Sequence, residues 1–218
     1  MLSQNMGFHY GDNFALEGDG TYDVEVSVGA MDARRFGPLK GRFEEAASAT
    51  IGFEFSSNER DDIAFRCLDQ AGEAGAVDLL EMEVAPVSTA PAADDLPGSV
   101  VGRGTSGDAE VVATAVEDDR YAGDGVYLAV SPRTPYNAVP LPMMSLSGAL
   151  RRDGEAVFEG DLPAGIGPEL GYHYGTVVGG VRSGDALAVT VDAPPQASRH
   201  EGYETAFLET DAVEFTVP

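Results

Sequence analysis

The chain has 218 residues, 37 of them acidic and 13 basic, for a formal net charge of −24 with Lys40 as its only lysine. That balance excludes binding to nucleic acid or to an anionic membrane surface, because both need clustered Lys and Arg. The single cysteine, Cys67, excludes an intramolecular disulfide, and no apolar run is long enough to insert in a membrane.

An acidic surface nearly free of lysine suits a halophilic protein, since in molar salt the Debye length falls to ~3 Å and self-repulsion is screened. The expected outcome is a melting temperature that falls as salt is removed; a constant or rising value in dilute buffer would overturn this reading. The start Met1-Leu2-Ser3-Gln4-Asn5 has neither the basic cluster nor the apolar run of a signal peptide.

Taken in order, the chain opens on Gly7-Phe8-His9-Tyr10-Gly11. Alternation then predicts strands over 20–28 and 49–55, separated by a polar excursion from Ala33 to Phe43. Residues 58–82 are mixed and rich in Gly and acid, which limits any helix there to one or two turns. Proline, alanine and aspartate dominate residues 83–97, which read as a stiff, soluble linker. Alternating runs at 110–116 and 126–130 predict a strand pair, followed by a proline-rich crossing from Pro132 to Pro142. Residues 144–150 and 155–158 predict a hairpin about Arg152-Asp153-Gly154, whose Asp-Gly pair favours a tight turn.

Near the end the opening motif returns as Gly171-Tyr172-His173-Tyr174-Gly175. Alternating runs at 184–191 and 212–217 then flank an excursion from Ala197 to Phe207, matching the earlier Ala33 to Phe43. The unit of motif loop, strand, excursion and closing strand is used twice, which predicts an internal repeat. With many glycines and prolines and no long stretch at helical spacing, the fold class expected is all-β: two immunoglobulin-like antiparallel β-sandwich domains. Their predicted limits are 1–82, with a mixed extension, and 98–218, complete, joined by the linker at 83–97. Only residues 1–8 precede His9, whereas strand-like sequence begins well before His173. The first domain is therefore expected to be truncated at its N-terminus, which would put a secretion signal or a lipoprotein anchor outside this chain.

Three short motifs carry little chemistry. Gly102-Arg103-Gly104-Thr105-Ser106-Gly107 has the glycine spacing of a dinucleotide loop, but the next segment alternates like a strand, so the glycines read as turn residues. Glu17-Gly18-Asp19-Gly20 and Asp118-Asp119 with Asp124 lack the spacing and distal glutamate of a calcium loop. No serine elbow or Cys-His pair is present, so no enzyme activity is expected.

The three histidines are the better candidates. His9 and His173 occupy the same place in the two motifs, and His200 stands in Arg199-His200-Glu201 on the second excursion. His173, His200 and Glu201 have donor groups suited to a transition metal, and Met1, Met6 and His9 form a softer set suited to copper(I). The residues leave open whether these imidazoles hold a metal or anchor loops by hydrogen bonds.

Together, His173-Tyr174-Gly175, Pro194-Pro195, Arg199-His200-Glu201 and Glu204-Thr205, with His9-Tyr10-Gly11 and Tyr22-Asp23-Val24 in the first copy, resemble the periplasmic iron-uptake (iron(II) transport) protein family. The resemblance implies immunoglobulin-like sandwiches, commonly dimeric, that bind copper and iron or manganese. The implied ligands are two histidines and a methionine on these loops with a His-x-Glu pair on an early strand. Here the early strand reads Tyr127-Leu128-Ala129, Ala164-Gly165-Ile166 stands where the methionine is expected, and Phe36 stands opposite His200 in the repeat.

The expected function is a non-enzymatic transition-metal-binding protein of iron acquisition, holding copper or iron, extracellular or at the cell surface, with a membrane permease or reductase downstream. A homodimer, or an intrachain pseudo-dimer of the two copies, would pool His9, His173 and His200. The alternative is a surface β-sandwich interaction module that has lost its metal.

Overall fold

The computed structural model describes residues 1–64, 66–83, 87–200 and 202–218. Its strands are β1 (Leu2–Ser3), β2 (Gly7–Phe8), β3 (Gly20–Val28), β4 (Arg34–Arg35), β5 (Ala47–Phe55), β6 (Ser99–Ser106), β7 (Ala109–Val116) and β8 (Val126–Arg133). They continue as β9 (Ser145–Arg152), β10 (Glu155–Asp161), β11 (Ala164–Gly167), β12 (Gly171–Val178), β13 (Ala186–Ala193) and β14 (Val213–Thr216). Among the described residues helix is confined to short turns such as Ser57–Asp61 and Asp119–Ala122. The fold is an all-β sandwich, as the alternation predicts.

Two sheets build the sandwich: a six-stranded one ordered β4-β11-β12-β8-β7-β6 and a four-stranded one ordered β10-β9-β13-β14. Alternation along each strand decides which side chains meet between them. Val111 and Ala113 of β7, Leu128 and Val130 of β8 and Tyr174 of β12 point inward, where they meet Leu146, Leu150, Leu187, Val189, Val213 and Phe215. The intervening residues, among them Val112, Val116, Tyr127 and Ala129, form a second apolar cluster on the outer face of the six-stranded sheet.

The turn between β9 and β10 is the predicted one, with Asp153 at φ 52° and Gly154 at φ 87°, values that favour an Asp-Gly pair. Of the glycines read as turn residues, Gly107 (φ 51°) does sit in the turn between β6 and β7, whereas Gly102 and Gly104 lie inside β6. Phe215 and Val213 pack directly on them, and a Cβ at Gly102 would stand 2.3 Å from the Phe215 ring. The glycines are there for close packing of the two sheets.

Residues 87–97 pack against the sandwich. Ala90 and Leu96 are buried, and the buried Arg133 guanidinium donates to the Pro91 carbonyl and, at 2.8 Å, to Ser131 Oγ. In the four-stranded sheet, Arg152 of β9 grips the buried Asp185 carboxylate through Nε (2.8 Å) and Nη2 (2.7 Å). This charge-assisted fork holds Asp185 below the usual carboxylate range.

The first 55 residues contribute edges and a hairpin. β4 runs parallel to β11, with Gly165 beside Arg34 and Ile166 beside Arg35. Reciprocally, Leu2 of β1 lies parallel to Ala197, and Ser198 N donates to Leu2 O at 2.7 Å. Among the described residues β3 and β5 pair only with each other, in register from Gly20 opposite Phe55 to Val28 opposite Ala47.

Candidate functional site

His173 is the most deeply buried of the predicted site residues that the structure describes. It projects from β12 onto the outer face of the six-stranded sheet and is fully buried. The preceding Gly171 has φ 64°, a left-handed conformation that glycine adopts without strain, and it turns its carbonyl back to the ring. His173 Nδ1 donates to that carbonyl at 3.0 Å, which fixes the tautomer, and Nε2 accepts from the Tyr127 hydroxyl at 3.2 Å. Burial lowers the imidazole pKa to about 4, with the Gly171 hydrogen bond acting the other way, so the ring is neutral at ordinary pH.

Three aromatic rings enclose this imidazole. Phe36 lies 5.7 Å from it, Tyr127 5.7 Å and Tyr121 6.3 Å between centroids. Phe36 comes from the first excursion and is placed by its own backbone, whose N–H donates to Ile166 O at 3.0 Å. Burial raises the pKa of Tyr121 and of Tyr127, so both hydroxyls stay protonated.

Glycines leave the room these rings occupy. A Cβ at Gly165 would stand 2.9 Å from both His173 Nε2 and the Phe36 ring, and one at Gly167 would stand 2.6 Å from the Tyr121 hydroxyl. At Gly175 it would meet Leu128 O at 2.5 Å and the Tyr127 ring at 2.8 Å. Tyr127 thus reaches His173 by lying over a glycine. In the sequence Tyr127 and Gly165 stood out only as departures from the histidine and methionine positions that the resemblance implies, and Tyr121 and Gly167 did not stand out at all. The usable signal was Gly175 at the end of the motif, a strand position with no side chain.

The other candidates lie elsewhere. His9 repeats part of the His173 geometry: Gly7 has φ 62° and His9 Nδ1 lies 3.2 Å from Gly7 O. His9 and Met1 also face each other across β1 and β2, with His9 N donating to Met1 O at 2.9 Å and the Met1 amine to His9 O at 2.7 Å. Met1 and Met6 are 37% and 40% exposed, open enough to meet an ion from solvent.

His200 is on the surface, at a turn in which Tyr203 N donates to its carbonyl, and Glu201 lies outside the described residues. Leu2 and Phe8 beside His9, and Tyr203 and Phe207 beyond His200, join one apolar cluster, whereas Phe36 and Tyr127 beside His173 belong to another. The structure does not gather the three imidazoles, because strand alternation sends His173 to the outer sheet face. Among the described residues no group of three or more His, Cys, Asp or Glu could hold a metal ion. The immediate neighbours of His173 do not fit copper or iron, since both ring nitrogens are engaged and the surrounding side chains are aromatic rather than donor groups. No described helix is long and apolar enough to cross a membrane.

The family described as a domain of unknown function, DUF7350, matches residues 94–216. Among solved structures the chain is similar to FetP of uropathogenic Escherichia coli. The as-isolated form is 18% identical, with 56% of this chain and 93% of that chain covered and a TM-score of 0.43. A copper-bound FetP variant is 18% identical, with 54% of this chain and 93% of that chain covered and a TM-score of 0.41. No protein of curated function matches.

Proposed function

The chain belongs to the DUF7350 family, and on that premise we propose that it is a non-enzymatic β-sandwich module that works by contact with another protein. The observation that carries this reading is the β3–β5 hairpin, which turns Val26, Val28 and Ile51 (41%, 59% and 56% exposed) to solvent on one apolar face. A two-stranded ribbon with an open apolar face is marginal in water and gains stability by being covered. His173 serves the module as a buried hydrogen-bonded core residue, and Phe36 ties the hairpin-bearing half to the sandwich. An extracellular or cell-surface location, and the view of the two halves as a pseudo-dimer, belong to the same reading; the reciprocal pairing of β4 with β11 and of Leu2 with Ala197 supports the latter.

The test is chemical cross-linking in extracts of the native host with the wild type and a Val26→Asp, Ile51→Asp variant, alongside metal analysis of copper- and iron-loaded protein with and without His173→Phe. The expected result is a cross-linked species lost in the double variant and no metal that depends on His173. Stoichiometric metal released by His173→Phe, with cross-linking unchanged in the hairpin variant, would overturn it.

One observation favours a second reading, a copper(I) protein of iron acquisition served by a permease or reductase. Met1 and His9 are directly opposed across a hydrogen-bonded pair, which puts a thioether and an imidazole on the same side of the ribbon. Copper(I) titration with a chromogenic competitor tests it: His9→Ala should weaken binding at least ~10-fold, a loss of about 1.4 kcal/mol, and an unchanged affinity removes this reading.

A further inference from the structure

We infer that the free edge of β3 is a strand-addition site for an extended segment of another protein that carries apolar residues on one face and a basic residue on the other. The inference rests on the contact reading proposed for the hairpin and names the chemistry of the partner. It starts from the way the chain covers its own second hairpin. β13 and β14 oppose Leu187 to Phe215 and Val189 to Val213; β3 and β5 oppose Val24 to Ile51 and Val26 to Ala49. Each ribbon thus sets two successive apolar pairs on one face.

The free side of β13 is taken by β9, which runs antiparallel with Leu150 opposite Leu187, Gly148 opposite Val189 and Arg151 opposite Ala186. Among the described residues no strand takes the corresponding side of β3.

Placing a β9-like strand there sets the position of Leu150 beside Val24 and that of Gly148 beside Val26, on the side of the open apolar face. The same register puts the position of Arg151 opposite Asp23, which precedes Val24 as Ala186 precedes Leu187. Asp23, Glu25 and Glu54 share the polar face of the hairpin, and neither β3 nor β5 contains Lys or Arg. The charged groups of β3 and β5 that an incoming basic residue can meet are therefore all carboxylates, and opposite charges directly across strands are stabilising. Main-chain hydrogen bonds along the edge supply affinity, and the alternating side chains supply selection.

A second copy of this chain is the poorer occupant. Edge-to-edge pairing of two β3 strands would bring Asp23 and Glu25 of each together, between chains of net charge −24. Its own β9 is already flanked by β10 and β13.

The experiment uses the full chain and a fluorescent peptide with the sequence of residues 144–152, read by anisotropy, with light scattering to follow self-association. Saturable binding is expected. It should weaken at least ~10-fold when both arginines of the peptide are replaced by glutamate, when the protein carries Asp23→Lys, and when it carries Val26→Asp with Ile51→Asp. Melting curves of the variants should overlay the wild type, because the substituted side chains are solvent-exposed. Binding indifferent to the arginine reversal would overturn the charge pairing. No peptide binding would overturn strand addition, and it would leave the contact reading standing if the hairpin variant still lost its cross-linked species. No peptide binding with a concentration-dependent dimer dispersed by Val26→Asp would assign the face to a second copy instead.

Discussion

The strand pairs β3–β5 and β13–β14 both set apolar residues opposite one another on one face and have opposite fates. Leu187, Val189, Val213 and Phe215 are 1%, 1%, 6% and 7% exposed, whereas Val26 and Ile51 are 41% and 56% exposed. The difference is not in the strands themselves. Residues 99–161 supply β13–β14 with a neighbouring strand and with a facing sheet whose glycines admit Phe215 and Val213. Period-two alternation decides which face of a ribbon is apolar, and only the rest of the chain decides whether that face is covered.

The largest effect that could break this comparison is at Phe215. Phe215→Ala removes a ring seated on Gly102 and Gly104 and should cost about 3–5 kcal/mol, the range for large-to-small changes in a packed core. Urea denaturation at neutral pH measures it. A loss under ~1 kcal/mol would mean that β14 contributes no more to the core than an exposed strand does.

Next in size is the imidazole of β12. His173 has a folded pKa of about 4, below its ordinary value, so the unfolded chain takes up a proton first as pH falls. The contribution is complete above about pH 6.5 and is lost progressively down to about pH 4, at close to 1.4 kcal/mol per unit and roughly 3 kcal/mol in all. Urea unfolding at pH 7, 5.5 and 4.5 should show this component in the wild type and lack it in His173→Phe. Superimposable pH profiles would show that the ring is not held neutral by burial.

What the sequence allowed to be read, and what it hid, divides along the same line. The strands of both hairpins, the Asp153-Gly154 turn and the all-β class were legible because they depend on local alternation and turn chemistry. The role of Gly102 and Gly104 was hidden, since glycines in a strand look like a turn until Phe215, far along the chain, is seen resting on them. The surroundings of His173 were hidden for a related reason. Phe36, Tyr121 and Tyr127 come from three separate parts of the chain, and nothing in their spacing announces that Gly165, Gly167 and Gly175 leave them a common floor.

The two copies of the motif offer a matched pair of smaller substitutions. At Gly175 a methyl group would collide with the Leu128 carbonyl and the Tyr127 ring, whereas at Gly11 it would make ordinary contact with the His9 ring at 3.6 Å. Gly175→Ala should cost about 1–3 kcal/mol through overpacking, and Gly11→Ala should stay within about 0.5 kcal/mol of the wild type. Thermal melts of the two variants side by side would read the contrast. Equal losses would mean that the first motif is packed as tightly as the second.

The smallest expected effect is also the sharpest statement about the open hairpin. Ile51→Thr keeps a β-branched residue on β5 and removes apolar surface that is already more than half in water. Little burial is lost, so the stability of the chain should change by no more than about 0.5 kcal/mol. The same substitution at a covered position would forfeit about 25 cal/mol for every Å² of buried apolar area removed and would strand a hydroxyl in the core. Measured by urea unfolding of the chain alone, a loss above ~1.5 kcal/mol would show that Ile51 is covered in solution by a contact within the chain or by a second copy, and the contrast between the two hairpins would fall with it.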